Sequence, residues 1–170
     1  MTKDRIIELL RVLDTELRRE GIIGELHVVG GAVLCIALGA REATRDIDAY
    51  FEPSTVVRKA AARIAALHDL PEGWLNDAAK GYLSADGEYC PFLELPNLRV
   101  LTAAPEYLLA MKCLAFRLGP EFQDEADVRY LLRYLNIERY EVALEIVTRY
   151  YPRERFPQKG FYALEEILGR

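Results

Sequence analysis

Histidine is scarce in this 170-residue chain, with His27 and His68 the only two. Neither has a convincing nucleophile near it in sequence, so no Ser-His-Asp or Cys-His set is suggested. Both read as structural, His27 in a strand and His68 near a helix end. Cysteine is scarce too: Cys35, Cys90 and Cys113 are odd in number and widely spaced. They form no Cys-x-x-Cys pair and no metal-finger spacing, which leaves zinc and redox readings weak. Cys35 and Cys113 lie in apolar helical patterns and read as buried thiols. Positive charge is in deficit, with 22 Lys and Arg against 27 Asp and Glu and a net charge of -5. That balance disfavours a protein whose main task is holding duplex DNA or long RNA by charge, while leaving room for a local basic rim. No apolar run approaches membrane-spanning length, and Met1-Thr2-Lys3-Asp4-Arg5 carries charges where a signal peptide needs an apolar core. A cytoplasmic, reduced protein with no membrane association is the expectation.

Hydrophobic residues make up 51% of the chain and aromatics 10%, enough to exclude disorder and to bury a real core. Ile6, Leu9, Leu10, Leu13 and Leu17 fall at helical spacing, closed by Gly21. Leu26 to Val29 reads as a short buried strand, Gly31 to Leu38 as a helix ended by Gly39, and Ile47 to Phe51 as a second strand stopped by Pro53. Ser54 is placed to cap an alanine-rich helix running to about His68. Leu70 to Asp77 reads as a loop in which Trp74 is a packing anchor, with base stacking left open. The stretch from Gly81 to Leu95 is ambiguous, with Asp86-Gly87 as a hairpin turn, and Leu98 to Thr102 reads as a strand. From Pro105 onward the pattern is helical: Pro105 to Phe116, Asp127 to Leu135, Tyr140 to Tyr151 and Tyr162 to Leu168. The expected architecture is α/β, a small mixed sheet with flanking helices over residues 1–104, with a helical C-terminal region over residues 105–170 packed on it.

The chemistry concentrates in residues 28 to 51. An apolar strand, Val28-Val29, runs into Gly30-Gly31 at a helix start, and Thr44-Arg45-Asp46-Ile47-Asp48 leads into the next strand. Side chains alternate along a strand, so Asp46 and Asp48 share one face while Ile47 packs behind them. Two like charges side by side repel unless a cation sits between them. The Gly-Gly turn offers N–H groups to phosphate. A phosphate seat beside a dicarboxylate is the minimum equipment for metal-assisted phosphoryl or nucleotidyl transfer. Taken singly, each part has a structural reading as well, the glycines as a turn and the carboxylates as a solvated rim or helix caps. Arg41 and Arg45 flank the pair, either contacting phosphate or acceptor or neutralising the carboxylates, and Thr44 shapes the turn into the strand.

The arrangement Val29-Gly30-Gly31-Ala32 with Thr44-Arg45-Asp46-Ile47-Asp48 resembles the signature of the nucleotidyltransferase superfamily, the DNA polymerase beta-like fold. It is most similar to the minimal, toxin-type branch. Pro105-Glu106-Tyr107-Leu108-Leu109-Ala110-Met111-Lys112, then Arg117, Asp124 and Asp127, resembles the later helical segment of that branch. The similarity spans roughly residues 25 to 135.

The resemblance implies an enzyme in which Asp46 and Asp48 hold Mg²⁺ and Gly30 and Gly31 admit the phosphates of a nucleoside triphosphate. Arg45 and Lys112 would contact the nucleotide, and a nucleoside monophosphate would pass to an acceptor: a protein, a small molecule or a tRNA end. The superfamily usually adds a third carboxylate from a neighbouring strand. Glu94 in Phe92-Leu93-Glu94-Leu95 is the first candidate and Asp86 the second. For Lys112 the alternative is a lysine snorkelling at the edge of an apolar helix. For Arg117, Asp124 and Asp127 it is a structural ion-pair network, which the placement of Asp127 near a helix start favours. The branch also implies a toxin–antitoxin role with an antitoxin-like protein partner. The rival function is a catalytically inactive module that binds a nucleotide or a partner on the same scaffold.

Overall fold

Helix α1 (Lys3–Arg19) begins where the Thr2 hydroxyl accepts a hydrogen bond from the Arg5 N–H, with Asp4 in its first turn and Arg18 and Arg19 in its last. It buries the apolar stripe Ile6, Leu9, Leu10, Leu13 and Leu17. The structure, a computed structural model, describes residues 1–169. Two units form within it. One contains residues 1–81 and 89–103, the other residues 82–88 and those from Ala104 onward.

The first unit is built on a five-stranded sheet. Its strands are β1 (Gly24–Val29), β2 (Ile47–Glu52), β3 (Leu75–Asn76), β4 (Tyr89–Leu95) and β5 (Leu98–Ala103), in the order β3-β2-β1-β5-β4. β1 runs parallel to β5 and antiparallel to β2, β2 is parallel to β3, and β4 is antiparallel to β5. The mixed α/β fold with helices at the C-terminus is the one expected. Helix α2 (Gly31–Ile36) follows β1 directly, and α3 (Ser54–Leu67) follows β2. Helices α1 and α3 pack together, α1 against β5 and α3 against β2. Leu26, Val28, Ile47, Ala49, Phe51, Leu98 and Val100 are buried on that side. The alternate residues Glu25, His27, Asp48, Tyr50, Glu52, Arg99 and Leu101 are partly or fully exposed, so the opposite face is open along most of its length and closed at its Val29 and Ala103 end.

Several local readings change. Pro53, not Ser54, occupies the cap position of α3, and no side chain caps that helix. The loop expected around Trp74 contributes β3, whose Leu75 and Asn76 pair with Ile47 and Asp48. Trp74 is fully buried and its Nε1–H donates to the Ala61 carbonyl at 2.9 Å, the packing role expected of it. The hairpin joins β4 to β5 at Pro96-Asn97, where the Asn97 N–H donates to Asp14 and its side chain to the Ile22 carbonyl. Asp86-Gly87 is a turn in residues 82–88 and belongs to the second unit.

That unit holds α4 (Pro105–Leu114), α5 (Asp124–Tyr134), α6 (Tyr140–Tyr150) and α7 (Gln158–Leu168), with α4 packed against each of the others. α5 starts three residues before the expected Asp127 and α7 four before Tyr162. Asp124, Glu125 and Asp127 all lie in the first turn of α5, where the helix dipole favours negative charge. Residues 82–88 attach to these helices through tyrosines. The Ser84 N–H donates to the Tyr107 hydroxyl, the Tyr151 hydroxyl donates to the Tyr82 carbonyl, and Gly87 lies against the Tyr107 ring. No helix among the described residues is long and apolar enough to cross a membrane.

Candidate functional site

The site grows from the turn after β1. Gly30 has φ +67° and ψ -149°, a backbone conformation that only glycine adopts without strain. A Cβ placed there would lie 3.2 Å from Oδ2 of Asp48. Asp48 reaches that position because β2 pairs antiparallel with β1, bringing Asp48 opposite Val29, the residue before the turn. Gly31 is confined for another reason: its absent Cβ would meet Arg41 Nη1 at 3.0 Å and Thr44 Oγ1 at 3.5 Å. The two glycines therefore sit against a carboxylate on one side and a guanidinium on the other.

The segment before β2 supplies the remaining groups. The Thr44 N–H donates to the Met1 carbonyl at 2.9 Å, the Met1 ammonium donates to the Thr44 carbonyl, and Thr2 bridges Ala43. The Thr44 hydroxyl donates to the Asp46 carbonyl at 3.2 Å, the turn-shaping role expected of it. Burial follows the strand period from Asp46 to Tyr50: Asp46, Asp48 and Tyr50 are half-exposed while Ile47 and Ala49 are buried. Asp48 and Tyr50 share a face of β2, and Asp46 lies just before that strand, half-exposed as they are. Arg45 is exposed beside them. On α2, burial raises the Cys35 thiol above its ordinary value, and the chain's amino terminus, Lys3 and Arg41 oppose that shift. The cysteines are all unbridged. Cys35 and Cys113 are buried, and burial pushes Cys113 up to about 12.

Glu94 is not part of this group. The register runs Glu94 to Arg99, Arg99 to Glu25 and Glu25 to Glu52, placing Glu94 in the row of Glu52, four residues along β2 from Asp48. At strand spacings that is about 13 Å along the sheet and about 14 Å across it. There Glu94 is 3.6 Å from Arg99 on the edge strand. The reading of Glu94 as a third carboxylate beside the pair is corrected by this register. Among the described residues no group of three or more His, Cys, Asp and Glu side chains is arranged to hold a metal.

Lys112, expected at the nucleotide, lies in the second unit. Its ammonium is 2.8 Å from Asp127 and 3.3 Å from Asp124, both carboxylates nearly fully buried. α4 stops at Leu114, so Arg117 is not on the same helix as Lys112. Its backbone N–H and Nε both donate to Asp124 Oδ2, at 3.1 and 2.9 Å. Burial alone would raise the Asp124 carboxyl, but the Arg117 hydrogen bond and the Lys112 charge outweigh it and hold it below the ordinary carboxylate value. This is the ion-pair network weighed as the alternative for Arg117, Asp124 and Asp127, and it includes Lys112 as well.

What the sequence reading missed is on the open sheet face. His27 is 26% exposed, and its Nε2 lies 2.8 Å from Glu25 Oε1. The imidazole stacks on Tyr89 at 4.6 Å between centroids and lies 6.0 Å from the Tyr50 ring. The signal for it was the period-two pattern Glu25-x-His27, which shares a face once β1 is recognised as half-exposed. Compared with protein-family models, curated proteins and solved structures, the chain gives no match.

Proposed function

We propose that the chain is a Mg²⁺-dependent nucleotidyltransferase that moves a nucleoside monophosphate from a nucleoside triphosphate to the hydroxyl of an acceptor. One observation carries the reading: Gly30, in a conformation reserved for glycine, lets the Asp48 carboxylate lie directly against the turn after β1, with Asp46 half-exposed two residues before it. Mg²⁺ takes hard oxygen ligands and is commonly held by one or two carboxylates together with substrate phosphates and water, so a pair suits it. Asp46 and Asp48 would hold it, and once bound it neutralises charge on the phosphates and favours displacement at the α-phosphorus. Gly30 and Gly31 would admit the phosphate chain close to the backbone. Arg41, against Gly31, would meet its negative charge. Arg45 would serve the same face from solvent.

The test is calorimetric titration of ATP, GTP, CTP and UTP with and without Mg²⁺, on the wild type and on Asp48→Asn. Metal-dependent binding by the wild type that the variant loses is the expected result. No binding by the wild type overturns the reading. The position of Glu94, far from the pair, favours a second reading: a module that binds nucleotide without transferring it. Metal-dependent binding with no product on any acceptor would establish that one. The toxin–antitoxin role rests on the resemblance alone. Growth arrest on expression supports it, and harmless high expression opposes it.

A further inference from the structure

The dicarboxylate leaves unused the His27 group on the same open face. Asp48 pairs with Val29 and Tyr50 with His27. His27 is therefore the diagonal neighbour of Asp48, a relation that places residues about 7–8 Å apart in an antiparallel pair. Tyr89 stacks on the imidazole with 26° between ring planes, and Tyr50 lies beside it at 34°. The carboxylate of Glu25 accepts from Nε2 at 2.8 Å. With the proton on Nε2, the Nδ1 lone pair is the basic one. A ring wedged by neighbours, oriented through one nitrogen by a carboxylate and partly open to solvent has the parts of a positioned base. A hollow of about 650 Å³ begins beyond the Glu25 and Tyr50 side chains, toward the Glu52–Pro53 end of β2.

We infer that His27, oriented by Glu25, is the general base that takes the proton from the acceptor hydroxyl; this rests on the transfer reaction proposed above. In the step, the acceptor oxygen forms a bond to the α-phosphorus as the bond from that phosphorus to the bridging oxygen breaks. Pyrophosphate leaves with the electron pair of the broken bond. The hydroxyl proton passes to Nδ1 of His27 and from there to water once the product has gone. Glu25 acts through His27 and is a positioning residue.

The test uses water as the acceptor. The full chain with Mg²⁺ and each of the four nucleoside triphosphates, labelled at the α-phosphate, is assayed for release of nucleoside monophosphate and pyrophosphate. His27→Ala is expected to fall by about 10²–10⁴-fold, the usual contribution of a general base, with nucleotide affinity unchanged. Added imidazole should restore much of the rate to His27→Ala. It should do nothing for Asp48→Asn. His27→Gln, which keeps a polar group facing Glu25, serves if the alanine variant does not fold, and it should show the same loss. Turnover by the wild type with an undiminished His27→Ala, or a loss that imidazole leaves in place, overturns the assignment and spares the transferase reading. Nucleotide bound without pyrophosphate release, with water and with every hydroxyl acceptor offered, overturns both.

Discussion

At Gly30 and Gly31 the same residue type answers two different demands. Alanine at Gly30 would be forced into a backbone region that costs on the order of 1–3 kcal/mol, with its methyl 3.2 Å from the Asp48 carboxylate. Alanine at Gly31 would press on Arg41 Nη1, the far end of a flexible side chain that can swing away. Gly30→Ala is therefore expected to lower the melting temperature and weaken Mg-nucleotide binding together. Gly31→Ala should weaken binding while leaving the melting temperature near the wild-type value. Equal destabilisation in calorimetric melts of the two variants would contradict this division. The Gly-Gly turn and the Asp46–Asp48 pair were legible because each depends on residues adjacent in the chain. The contact between Gly30 and Asp48 depends on the β1–β2 register and was not. Glu94 shows the converse, since its strand context suited a ligand but its row does not.

Among the elements, the helices with clean apolar periods, α1 and α6, were read nearly to the residue. α5 was read short because Asp124 and Glu125 lack apolar character, although they form its first turn. β3 was missed because two residues carry no period, and it exists only because β2 offers Ile47 and Asp48 as partners. The link between α4 and α5 has a measurable signature. The Asp124 carboxyl is held below its unfolded value, which is about 3.9, so it stabilises the fold above that pH and loses the contribution as pH falls through the depressed folded value. Melting temperatures followed from neutral pH to about pH 3 should therefore drop at the acid end for the wild type. Asp124→Asn should start lower and drop less. Lys112→Met, which removes the ammonium shared by two buried carboxylates, should cost about 3–5 kcal/mol in chemical denaturation. A Lys112→Met protein as stable as the wild type would show that the ammonium is not part of the structure's support.

Across the whole molecule, the expected division at residues 104 and 105 meets a complication in residues 82–88. That stretch lies in sequence between strands of the sheet unit but belongs to the helical one. No apolar run distinguishes it, and its Asp86-Gly87 turn signal does not say which unit holds it. Its placement follows from hydroxyls and rings on Tyr107 and Tyr151, far along the chain. A chain ended after Ala104 would keep the five strands and lose every one of those partners. In such a truncation, limited proteolysis is expected to cut first within residues 82–88, at sites resistant in the full chain. Equal resistance in both would mean the stretch needs no tyrosine partners to stay ordered. The same threading sets a timetable for a protein made from its N-terminus. The sheet has its last strand once Ala103 has emerged, whereas the excursion before it must wait for Tyr151, nearly fifty residues later, before its final anchor exists.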